Sequence, residues 1–354
     1  MKHIATVAIL VVLLGCVRAA GLEPEREGQQ SFLKRAIFAD GRLWTLSDAG
    51  VLSSTADNDS GWTREQPGSS VLDVCAQSGM LASISSSMLG LGPWVLQRHS
   101  QGAWSIVATV AGAPDRFLAM DCSGGMITIV TNRRLIEAQA GTVRDLPLQE
   151  PFNPFGLTAT YSTRDWIYLG FDRGEWGGGI SRIDRHTGAV SVIEKKETGD
   201  LCSGPLDSKC DPVNAIVADP WKPDCIVAAI GLVHFIPRGR IIEVCGNDVR
   251  QLYSKSYADP EPSEGAARTV NLCAEHCSVA FFGLAVTGST VWASGIDGVY
   301  RLIADGGAEF HSLPGFKDVG GIGVSFELPR LVLVLTRVNQ RTSVSGNAPM
   351  LVAR

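Results

Sequence analysis

Apolar residues along this chain fall in short runs of four to seven, each bounded by polar, glycine-bearing turns. Residues 126–130 (MITIV), 226–230 (IVAAI) and 331–335 (LVLVL) are examples. Runs this short, with no 3.6-residue periodicity, predict strands. Their nearly continuous apolar character predicts strands buried on both faces. The clearest stretch is 282–302. Small apolar residues at 283–286 lead to a turn at Thr287-Gly288-Ser289, then a strand at 291–293. A turn at Gly295-Ile296-Asp297-Gly298 follows, then a strand at 299–302. Residues 32–64 predict four strands (33–38, 43–46, 51–54 and from 62), with turns at Asp40-Gly41, Asp48-Ala49-Gly50 and 57–61. No segment reads as a long amphipathic helix.

The pattern repeats. Second-strand positions centre on Trp44, Leu81, Ile127, Trp166, Ile226, Trp292 and Val332, spaced 37, 46, 39, 60, 66 and 40 residues apart. Four of these gaps sit near the length of a four-stranded propeller blade, about 40 to 50 residues. The two long gaps carry insertions. The expected fold is therefore all-β: a seven-bladed β-propeller over residues 32–354. A six- or eight-bladed ring and a β-sandwich are the alternatives. The seventh unit shows three strands, and the leader near Gln30 would supply its fourth.

Within this frame, Trp292 to Arg301 (Trp-Ala-Ser-Gly-Ile-Asp-Gly-Val-Tyr-Arg) resembles the blades of bacterial two-component-regulator-type and BNR, sialidase-like propellers. Those blades run a Trp-bearing strand through an Asp-Gly turn into a Gly-Val/Leu-Tyr-Arg strand. Residues 54–63 are similar to a degenerate Asp-box, with Asp57, Gly61 and Trp62 as the matching parts, and residues 102–105 to a more eroded copy. The resemblance implies a propeller. It does not extend to sialidase chemistry, because the arginine cluster and the Tyr and acidic pair of such enzymes cannot be placed on this sequence.

The first residues change where the chain is expected to work. Lys2 and His3 precede an apolar run at 4–14, too short to span a bilayer as a permanent helix. Residues 1–20 read as a signal peptide, with a small residue at Ala19 before Ala20, and 21–31 as a polar linker. Leu13-Leu14-Gly15-Cys16 resembles a bacterial lipobox, so a lipoprotein anchored through Cys16 is the alternative to a periplasmic or secreted protein. Membrane contact is expected only in that case.

Export sets the cysteine chemistry. Of nine cysteines, eight lie beyond Cys16, an even number that suggests disulfides in an oxidising compartment. Placed on the repeats, Cys225 and Cys245 face each other across one hairpin. Cys75 and Cys122 end neighbouring first strands. Cys202 with Cys210, and Cys273 with Cys277, each close a loop within one insertion. A zinc site at Cys273, His276 and Cys277, completed by Cys202 or Cys210, is the competing reading.

In a propeller, the second-to-third-strand turns and the connections between blades open on one face. That face would collect the insertions at 194–212 and 255–278, the shorter connection 147–154, and turns bearing Asp48, Asp172, Asp297 and Arg337 to Arg341. The sharpest local feature is Gly170 to Ile180, where three consecutive glycines follow Asp172, Arg173, Glu175 and Trp176. Three glycines permit close backbone approach or positive-φ turns. A Trp face beside carboxylates suits a sugar or a cation, whereas a wide turn with solvated acids needs no ligand. Asp48, Asp172 and Asp297 would ring the channel mouth, or simply cap their own turns. Candidate ligand-binding residues are Asp172, Arg173, Glu175, Trp176, His234, Arg238 and Asp297.

The net charge of −5 gives no footprint for nucleic acid. No Ser-His-Asp order, nucleophile elbow, phosphate loop or metal-binding His cluster stands out, and no cofactor is implied. Two functional classes remain. One is a non-enzymatic binding module that presents its loop-rich face to a protein, peptide or glycan. The other is a hydrolase or lyase acting on a sugar or lactone, with Asp172, Glu175 and His234 in polar roles.

Overall fold

The computed structural model describes residues 33–353 apart from 57–60, 66, 69, 78, 88–91, 123–125, 140, 201, 235, 258–276, 313–318, 326–330 and 339–348. The signal peptide, Cys16, the linker, Cys273, His276 and residues 339–341 therefore lie outside the described residues. So do residues 57–60 of the Asp-box-like stretch, and that box is not shown.

The protein is an all-β propeller. Among the described residues, its strands form six four-stranded antiparallel sheets and one three-stranded sheet, each paired in sequence order. The first strands of successive sheets neighbour one another around a ring. The last of them, Val319–Ser325, lies beside both Phe281–Thr287 of the sixth sheet and Leu33–Ala39 of the first. Complete blades thus number six rather than the expected seven. The final sheet holds the three strands Val319–Ser325, Leu331–Val338 and Pro349–Ala353, and the leader expected to complete it is outside the described residues.

Burial follows strand position and explains the apolar runs. Every residue of Ile127–Thr131, the second strand of blade three, is buried. Each second strand packs between two neighbouring blades, so both of its faces are apolar. In one such interface Ile84, Trp94 and Leu96 of blade two meet Met120, Ile127, Ile129 and Ile136 of blade three. The outermost strand of blade three, Thr142–Pro147, has one side in water and is mostly exposed.

The six first strands of the complete blades share a device that links blades. Each skips one residue in its pairing with the second strand, at Lys34, Leu72, Leu118, Thr158, Asn214 and Phe282. Such a bulge leaves its residue outside the ladder. Where that residue is polar, its side chain reaches the next blade's backbone. Lys34 Nζ donates to Leu72 O at 2.5 Å, Thr158 Oγ1 to Val213 O at 2.5 Å, and Asn214 Nδ2 to Phe281 O at 3.0 Å.

Three disulfides join described residues: Cys75–Cys122 between blades two and three, Cys202–Cys210 in the first insertion, and Cys225–Cys245 across the blade-five hairpin. Cys277 is also disulfide-bonded. With Cys202, Cys210 and Cys277 all oxidised, the zinc reading loses these three thiolate ligands.

Candidate functional site

Contacts between loops define the face that carries the site. Second-to-third-strand turns touch between-blade connections repeatedly. Val71 N donates to Gly50 O at 3.2 Å, Phe152 N to Asn132 O at 3.3 Å, and Arg173 Nε to Phe155 O at 3.2 Å. Lys255, at the root of the second insertion, lies 3.0 Å from Asp297 Oδ2. One end of the ring therefore gathers both kinds of loop, as the repeat register predicts.

The triple glycine is explained by what it touches. Gly178 N donates to Ser208 O at 2.9 Å and Gly179 N to Asp211 O at 2.8 Å. A Cβ on Gly178 would fall 1.8 Å from Phe171 O, and φ there is +155°. Only glycine lets this turn lie against the loop closed by Cys202–Cys210. That loop is itself built on a buried carboxylate. Asp207 accepts N–H groups from Cys202 (2.9 Å) and Lys209 (3.0 Å) and an ion pair from Lys196 (3.0 Å). Burial pushes the Asp207 carboxyl up, but the Lys196 ammonium and the two N–H donors prevail and hold it below its usual range. Arg240 pairs with Asp211.

On this rigid backing, a single 3-10 turn at Gly174–Trp176 presents Trp176 with 80% of its surface in solvent. Phe155, 68% exposed, stands on the connection between blades three and four. Arg173 ties the two, through its hydrogen bond to Phe155 O and through Trp176 N donating to Arg173 O at 3.3 Å. Beside Phe155 a cleft of about 310 Å³ opens between blades three and four. Arg116, Phe117 and Leu118 line one side, and residues 153–157 the other.

The other candidate residues divide by their contacts. Asp172 Oδ1 accepts Gly174 N at 2.7 Å and so caps its own turn. Asp297 accepts the Tyr300 hydroxyl at 2.6–2.7 Å besides pairing with Lys255. Burial first, and then this carboxylate, push the Tyr300 phenol far above its ordinary range, so it remains a donor. Arg238 places Nη1 3.0 Å from Cys202 Sγ and donates from Nη2 to Cys210 O at 2.8 Å. It fastens the insertion to blade five. His234 ends the strand Ile226–His234, its backbone paired with Ile236; its side chain is outside the described residues. Arg173, Glu175 and Trp176 share one turn, whereas Asp297 belongs to a separate cluster on blade six. Among the described residues, no group of three His, Cys, Asp or Glu side chains is placed to hold a metal ion.

Arg116 and Phe155 were not among the candidates. For Phe155 a signal lay in the proline-bounded run Pro151-Phe-Asn-Pro-Phe155, where two aromatics stand in a connection with no strand to bury them.

No protein-family model matches the chain, and no curated protein matches its sequence. Solved propellers do. YCF48 bound to D1 peptide is 15% identical over 88% of this chain and 92% of that one, with a TM-score of 0.52. The GH74 enzyme of Niastella koreensis is 11% identical over 90% of this chain, with a TM-score of 0.51; the chain spans 53% of its length. The extracellular domain of a putative one-component system from B. thetaiotaomicron is 14% identical over 88% of this chain, with a TM-score of 0.49, and the chain spans 38% of that protein. The likeness is one of fold.

Proposed function

We propose that the protein is an exported interaction module that holds a partner polypeptide on its loop-rich face, across blades three to five. The observation that carries this reading is the pair of exposed aromatics, Phe155 and Trp176, set beside a cleft and held by a disulfide-closed, ion-paired support. Exposed apolar side chains grouped beside a cleft mark interaction sites, and rigid loops lower the ordering cost of binding. Three disulfides fit an oxidising compartment, in keeping with export. A propeller of this shape, YCF48, has been solved with a peptide bound. The hydrolase alternative needs two of Asp172, Glu175 and His234 to converge on a substrate, and Asp172 is occupied by its own turn.

A photocrosslinking amino acid tests the reading. It is placed at position 155 or 176, with positions 80 and 106, exposed residues of blade two, as controls. The protein is then irradiated in the cell that makes it. A discrete polypeptide adduct from 155 and 176 and none from 80 and 106 is expected. No adduct, or the same adduct from all four positions, overturns it.

A further inference from the structure

The cleft beside Phe155 has a charge asymmetry that specifies its occupant more closely. Arg116 lines it, is exposed, and uses only its backbone: its N–H donates to Asn132 Oδ1 at 2.9 Å. Arg133 stands exposed on the adjacent turn, and Arg173 lies at the other side, 5.2 Å above the Phe171 ring. Among the described residues none of these three guanidinium groups makes an ion pair. The next residue shows the contrast. Arg134 is taken up by Asp115, Asp145 and Ala111 O. Of the nearby carboxylates, Asp115 is engaged by Arg134, Asp172 by the Gly174 N–H, and Glu175 is likewise partnered. A chain with a net charge of −5 thus leaves Arg116, which lines the cleft, and the nearby Arg133 and Arg173 without an ion pair.

An unpaired guanidinium gains most from a carboxylate, which it meets with two parallel N–H donors. The wall offers Phe117, Leu118, Pro154, Phe155 and Leu157 to an apolar side chain and no acid to a base. Sugar recognition draws on aligned amides and carboxylates, which this lining lacks except at Asn153. We infer that the cleft takes an extended acidic segment of a polypeptide, with a carboxylate on Arg116 and an adjacent large apolar side chain against Phe155. This deepens the proposed function and rests on it.

The test is selection of a random octapeptide phage library on the immobilised full chain. Parallel selections use the Arg116→Glu and Trp176→Ala variants, each checked for an unchanged thermal midpoint. Enriched peptides are expected to carry Asp or Glu next to Phe, Leu or Ile. The fluorescein-labelled best peptide should lose roughly tenfold or more in affinity on Arg116→Glu, as expected for a lost charge-assisted contact. A Lys-for-acid version of that peptide should fail on the parent protein and regain binding on Arg116→Glu. Enrichment without acidic residues, or undiminished binding to Arg116→Glu, overturns the acidic specificity while leaving the face as a binding site. Adsorption to anionic phosphatidylglycerol vesicles with no peptide enrichment overturns the polypeptide as occupant. A selection that enriches nothing overturns both this inference and the reading beneath it.

Discussion

The two ends of the ring use similar residues in opposite ways. At the end away from the insertions, charged groups are buried and paired. Glu137, 6% exposed, lies between Arg185 of the next blade and Arg144 of its own. Glu243 receives two hydrogen bonds from Arg250, at 2.7 and 2.6 Å, and one from Lys222 at 2.7 Å, beside the Cys225–Cys245 bridge. His99 sits edge-on to Trp44 and Trp104 with Nδ1 2.9 Å from Asp40. At the loop-rich end the scaffold charges are again paired, as at Asp207 and Asp211. Above them, however, Trp176, Phe155 and Arg116 face water. Removing one partner of a buried pair leaves an uncompensated charge, which costs several kcal/mol, whereas removing a solvent-facing side chain costs the fold little. One end is built for stability, and the other carries groups that the fold itself does not require.

The largest expected effect on stability lies at Glu243. Burial alone would raise its carboxyl, but the hydrogen bonds from Arg250 and Lys222 outweigh it and bring it down to about 2. A carboxylate whose folded value is depressed contributes stability that is fully present above its unfolded value near 4.5 and is lost as pH falls toward 2. The contribution is about 3 kcal/mol at neutral pH. Urea unfolding at pH 7, 4.5, 3 and 2 should show the parent protein losing stability across that window. Glu243→Gln should begin lower at pH 7 and change less between 4.5 and 2. Parallel curves for the two proteins would show that Glu243 does not act as the anchor of that end. Binding at the opposite face should be unaffected.

A pair of glycines sharpens the contrast. Gly178 and Gly246 both have positive φ, +155° and +63°. An added Cβ meets open space at Gly246 and the Phe171 carbonyl at Gly178. Gly246→Ala should cost about 1 kcal/mol from backbone strain alone. Gly178→Ala must also move the turn away from Phe171, for a total of roughly 2 kcal/mol or more. Thermal melts give the ranking, and equal midpoints for the two variants would contradict the close approach. Because the Gly178 turn supports Trp176, only that variant should also weaken capture of the selected peptide.

Sequence reasoning reached what repetition and burial control. The second strands were legible at Ile127 and Ile226 because both faces of each are packed, which leaves an apolar run that no surface strand would carry. Cys75–Cys122 and Cys225–Cys245 followed once the repeats were aligned, since register brings those positions together, and Cys202–Cys210 followed from their sharing one insertion. Seven equivalent blades were read where six are complete, because the last three strands keep the apolar pattern without a fourth. Partnerships between distant polar residues were not legible. Glu137 and Arg185 are 48 residues apart, and nothing in either neighbourhood marks the other. The same limit applied at the site. Arg238 and Asp297 looked available in sequence, yet the fold commits the first to the Cys202–Cys210 loop and the second to Tyr300 and Lys255. Arg116 gave no signal because its distinction from Arg134 lies in where Asp115 and Asp145 point.

The smallest expected effect on stability comes from a residue proposed to matter for binding. Trp176 has 80% of its surface in water and belongs to a turn held by backbone hydrogen bonds of Arg173, Gly177 and Gly178 rather than by the indole. Trp176→Ala should therefore shift the unfolding free energy by no more than about 0.5 kcal/mol. An aromatic anchor at the centre of an interface commonly supplies about 2 kcal/mol or more of binding, so the same substitution should weaken the selected peptide roughly thirtyfold. Denaturant melts and fluorescence anisotropy on one preparation give both numbers. A large loss of stability would mean that the indole is part of the scaffold after all, and an unchanged affinity would move the binding surface off blade four. Either result would erase the division between the two ends of the ring, because Trp176 is the most exposed large hydrophobic side chain among the described residues.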